Sequence, residues 1–131
     1  SYEKAQRIEP LEEVIDELVD EVRRRHLWRM KHNLCDVVKG LSFQNILQNL
    51  ERISDQCSDL GVNILGIEDD NIYGNEHQYL RDIHHSDDET YNQLFAKYKA
   101  KYMGVLDSMS ADSTDHDDAD IKKQLQLDIV M

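Results

Sequence analysis

Two sets of carboxylates have the spacing from which a cation site is built. Glu51, Asp55 and Asp59 stand four residues apart, and Glu12 and Asp16 repeat the interval. Residues four apart on a helix lie one above the other, their Cβ atoms roughly 5–6 Å apart, so each set forms an anionic stripe. Such a stripe is costly unless something positive sits on it. Two stripes on facing helices would place four oxygen donors, from Glu12, Asp16, Glu51 and Asp55, around a shared centre, with Asp59 a weaker fifth. All-oxygen donors suit hard cations such as iron, manganese, magnesium or calcium. The bland reading is a pair of solvated edges, or ion pairs with Arg23 and Arg52. With 27 acidic residues in the chain, four-residue acidic pairs also arise by chance.

Helices must position these groups. Phe43, Ile46, Leu47, Leu50, Ile53, Cys57, Leu60, Ile64 and Ile67 recur at steps of three and four, which predicts one long amphipathic helix over 43–67 packed by its apolar seam. Cys57, on that seam, reads as a small buried hydrophobe. Residues 2–31 read as another helix on Leu11, Val14, Ile15, Leu18 and Val22. Pro10 marks either a kink in it or the first turn of a helix starting near Glu9. Acidic residues crowd its early part and RRRHLWRMKH its end, an order that the helix macrodipole favours. Residues 32–41 form the connection, with Ser42 as N-cap of the second helix, so the two are antiparallel neighbours.

Glu68-Asp69-Asp70-Asn71 ends the long helix, and Gly74-Asn75 marks a turn. EHQYLRDIHH reads as a short helix. Ser86 and Glu89 have capping-box spacing before a third amphipathic helix carrying Tyr91, Leu94, Phe95, Tyr98, Tyr102, Val105 and Leu106. Residues 107–120 are acidic and poor in large apolar groups, the composition of a disordered or solvated linker. Residues 121–131, IKKQLQLDIVM, regain apolar character and read as a segment that docks or stays free.

Composition narrows the function classes. The net charge of −12 argues against a nucleic-acid partner. No apolar run reaches the roughly 18–20 residues of a spanning helix, which excludes direct membrane insertion. Two cysteines, Cys35 and Cys57, lack CxxC spacing and read as reduced thiols of a cytoplasmic protein. His26 reads as a helix-end contact. Asp82 and His85 supply only one such pair, too few for a ferritin-like ligand set. No nucleophile stands beside a base in the sequence, which argues against an enzyme. A start at Ser1, already inside a helical pattern, reads as a piece of something longer.

The run Asn49-Leu50-Glu51-Arg52-Ile53-Ser54-Asp55 resembles the NLERIxD signature of PhoU domains. IEPLEEVID at 8–16, RHLWRM at 25–30, the His77–Ile83 stretch and the Tyr-rich 91–102 resemble the PhoU-type domain at the C-terminal end of bacterial Na/phosphate cotransporter-like proteins. The likeness covers roughly residues 3–106, and several motifs keep their order. It implies an all-α antiparallel bundle, part of a two-repeat three-helix-bundle domain, over residues 1–106. It also implies control of phosphate uptake from the cytoplasmic face of the inner membrane. The implied partner is the membrane portion of a transporter in the same or another chain. The implied cofactor is iron or another divalent metal (Mn, Zn, Mg) held at Glu12, Asp16, Glu51, Asp55 and Asp59. Only part of one repeat is present, Gln56 stands where relatives often carry His, and Asp59 where they often carry Asn. Apolar seams left bare by the absent helices predict a homo-oligomer. The alternative is a metal-free structural helical module for interaction or oligomerisation.

Overall fold

The computed structural model describes residues 1–112, with side chains as far as Met109. All the regular structure among them is helical: α1 (Tyr2–Gln6), α2 (Ile8–Lys31), α3 (Val37–Glu68), α4 (Glu76–His84) and α5 (Glu89–Asp112). The all-α expectation holds, and α2 and α3 form the antiparallel pair.

Pro10 falls in the first turn of α2, where its missing N–H costs no hydrogen bond, and the break from α1 comes at Arg7. Asn33, at φ 57°, closes the far end in the left-handed region. The connection to α3 is shorter than residues 32–41. Asp36, not Ser42, caps α3, its Oδ1 accepting from Lys39 N at 3.0 Å, while Ser42 Oγ donates to Val38 O inside the first turns. A carboxylate at the N-cap also meets the helix dipole favourably, so the earlier start wins. At α5 the cap is Asp88, whose Oδ1 accepts from Tyr91 N at 2.7 Å, and Ser86 instead accepts from Asp88 N. Helix α5 continues to Asp112, through the first residues read as linker; the rest of that stretch and the segment 121–131 lie outside the described residues.

Helix α2 is the central element, with α3 on one side and α5 on another. Its antiparallel pairing with α3 is fixed by Ser58 donating to Glu9 near one end and by His26 Nε2 donating to Gly40 O, 3.1 Å away, near the other. His26 is almost fully buried, its ring 4.5 Å from that of Phe43. Helix α5 runs parallel to α2, with Tyr91 on Glu13, Lys99 on Glu17 and Arg25 on the Leu106 carbonyl in succession. Ala5, Val62, Leu65 and Ile72 form a compact core where α1, the end of α3 and the turn before α4 meet.

Only part of the apolar seam of α3, Phe43 and Leu47 among it, packs inward; the rest does not. The buried residues of the helix are Leu47, Ser54, Ser58, Gly61, Val62 and Leu65 among others, whereas Ile46, Leu50, Ile53, Cys57, Leu60 and Ile67 are exposed. Small residues let the two helix backbones approach closely, and the larger apolar ones then lie to the side. Cys57 is therefore not a core residue.

Candidate metal centre

Glu12 and Asp16 rise from successive turns of α2, and Asp55 meets them from α3. One carboxylate oxygen from each lies within 4.8 Å of the others. Two oxygens bound to one hard cation at about 2.0–2.6 Å are separated by no more than about 5 Å, so the three donors are compatible with a single ion whose remaining positions face solvent. The donor set is oxygen alone, which suits Fe, Mn or Mg better than a thiophilic metal.

The electrostatics support the same reading. Burial pushes the Glu12 carboxyl from 4.5 up to about 9, helped by its hydrogen bond with Asp16 and by the charges of Asp16 and Glu9. Asp16 is also raised, by burial first and by repulsion from Asp55, Glu51 and Asp20, against the lowering effect of its bond with Glu12. Three carboxyl groups this close cannot all ionise cheaply. A proton on Glu12 takes the place that a cation would hold.

The five sequence candidates thus separate. Glu12, Asp16 and Asp55 converge. Glu51 is near enough for its charge to act on Asp16, but its side chain is engaged by Arg23 of α2. Asp59 is exposed one turn beyond Asp55 and does not join the group. The ion pair foreseen as an alternative is present at Glu51, while the convergent trio lies beside it.

Glu9 was not singled out in the sequence, where it reads as one more acid at a helix start. In the structure it is nearly buried and bonded on both oxygens, accepting from Ser58 Oγ on α3 and from His84 Nε2 on α4. It ties three helices together one turn below the trio and adds negative potential to Glu12. Only the fold brings residues 9, 58 and 84 together, so no local signal marks them. Asp82 accepts from Gln78 at 2.7 Å within α4, and neither it nor His85 joins the trio.

A family model described as the PhoU domain matches residues 1–64, the stretch that contains Glu12, Asp16, Glu51, Asp55 and Asp59. No curated protein and no solved structure matches the chain. No helix among the described residues is long and apolar enough to cross a membrane.

Proposed function

We propose that this chain is a PhoU-like regulatory module in the control of phosphate uptake, acting by contact with the membrane part of a sodium-dependent phosphate transporter rather than by turnover. The observation that carries the reading is the convergence of Glu12, Asp16 and Asp55 inside the segment that the PhoU domain model matches. Regulation in the cell interior, at the inner membrane face, follows from the same reading.

A hard divalent or trivalent cation would supply charge neutralisation at the trio. The protein's own residues do the rest: Glu12 and Asp16 present oxygens from α2, Asp55 from α3, and Arg23 holds Glu51 aside. Tying α2 to α3 at this point stiffens the pair that shapes the face offered to a transporter. The Arg23–Glu51 pair favours a second reading, in which the stripe is charge-balanced by protein and protons and the module is purely structural.

Elemental analysis of the untagged full chain after reconstitution with iron, manganese and zinc separates these, run beside the Asp16→Asn/Asp55→Asn variant. Stoichiometric metal in the parent and none in the folded variant is expected. Metal retained by the variant would remove the trio as its site. For the regulatory role, phosphate uptake by cells carrying the transporter should change when the module is deleted; unchanged uptake rejects that role.

A further inference from the structure

Part of the apolar surface of α2 stands beside its junction with α3 and is only half-buried. Leu11, Ile15, Leu18 and Val22 recur along it, and Leu50 and Ile53 of α3 flank them, making an apolar groove between the two helices. Leu50 and Ile53 are 50% and 58% exposed, although both lie on the apolar seam of α3. A contiguous apolar groove of this kind is a binding surface until something covers it.

We propose that the occupant is the chain's own C-terminal segment, residues 121–131. Helix α5 runs parallel to α2, with the Leu106 carbonyl accepting from Arg25, so its last turns lie beyond Val22 along the direction of α2, the end from which the segment would enter. The nine steps from Asp112 to Ile121 span up to about 30 Å when extended. The groove from Val22 to Leu11 is about 16 Å long at 1.5 Å per residue, within reach of that span. Ile121, Leu125 and Ile129 stand four apart, the spacing of one apolar helix face.

Charge agrees with this path. Asp115, Asp117, Asp118 and Asp120 immediately precede Ile121, and Arg29 stands seven residues beyond Val22 on the same face of α2, at the mouth they would cross. A second copy of the chain is a poorer occupant. Each copy carries −12, and two like faces would approach against that charge. The tethered segment meets the groove at an effective concentration of order millimolar.

Cys57 lines the groove, and Cys35 lies outside it in the connection between α2 and α3. Alkylation of the intact chain by iodoacetamide, followed by peptide mass, therefore reads groove cover with an internal reference. Cys57 should react on the order of tenfold faster in Leu125→Glu/Ile129→Glu than in the parent, with Cys35 unchanged and helix content equal by circular dichroism. Protection of the parent should not depend on protein concentration. Equal Cys57 rates in the two proteins overturn the proposal, and so does protection that disappears on dilution together with a dimer mass, which assigns the groove to a second copy.

Discussion

Arg23 of α2 donates to Glu51 of α3 across the helix interface, within one turn of the Glu12–Asp16–Asp55 trio. The pair is about two-thirds buried, so it is screened less than a surface bridge. It does two things at once. It fixes the pairing of α2 with α3, and it withdraws one carboxylate from the acidic cluster while adding a positive charge to its edge. The cluster is thereby held at three converging oxygens.

Arg23→Met should release Glu51 and remove that charge. The lost repulsion between the guanidinium and a divalent ion at the trio should let Mn(II) bind at least about tenfold more tightly. Calorimetric titration of parent and variant measures it. Weaker binding in the variant would mean that Arg23 orders the trio rather than opposing the ion.

The pH dependence of stability follows from Glu12. Its pKa is raised from 4.5 to about 9 in the folded chain, so the folded state holds a proton that the unfolded state gives up. The contribution of this group is full below about 4.5 and is lost as pH rises through about 9. Without metal, the melting temperature should therefore fall between pH 5 and 9, after allowance for other groups by comparison with Glu12→Gln, which stays neutral and should show a flatter profile. Cation affinity should rise over the same window, because the ion displaces the proton. Identical profiles in parent and variant would exclude a shifted Glu12.

Much of the fold was legible in periodicity, and the departures have local causes. The helices, the αα-hairpin and the turn at Gly74 follow from patterns confined to a few residues, and Gly74 sits at φ 77° as a turn glycine does. The caps shifted because Asp36 and Asp88 take the first N–H groups in place of the serines near them, their charge meeting the positive end of the helix dipole. The buried face of α3 was misread in part, because Ser54, Ser58 and Gly61 carry no hydropathy signal, yet it is their small size that lets α2 approach. For the site, four-residue spacing identified both stripes, but the sorting of Glu51 from Asp55 depends on where Arg23 points. That is a property of the helix crossing and not of either helix.

The close approach can be tested at Gly61, where an added Cβ would lie 3.1 Å from both Cβ and Cδ1 of Ile8. The Ile8 Cβ is fixed to its backbone and cannot swing away. Gly61→Val should therefore destabilise the fold by about 1–3 kcal/mol. Gly104, in α5, has nothing within 4 Å of its virtual Cβ, and Gly104→Ala should stabilise by about 0.5–1 kcal/mol through helix propensity. Urea midpoints of the two variants should move in opposite directions; a neutral Gly61→Val would mean that α1 and the start of α2 are not held against α3 in solution.

The last prediction concerns Glu9, whose two oxygens are shared between Ser58 and His84. Ser58 is itself 7% exposed, so water does not readily replace its hydroxyl. Removing it leaves a nearly buried carboxylate short of one donor, which costs more than the bond was worth in the intact protein. Ser58→Ala should destabilise by about 1–3 kcal/mol, and Ser58→Ala/Glu9→Gln by less than the sum of the single changes, because the second change removes the charge that the first left unsatisfied. Additive losses in denaturant titrations would show that Glu9 does not depend on Ser58. The tie between α2 and α3 at this end would then rest on packing alone, and metal binding one turn away should be unaffected by Ser58→Ala. If the tie is electrostatic, the same change should weaken Mn(II) binding, since Glu9 and Glu12 share one negative potential and the spacing of α2 from α3 sets the reach of Asp55.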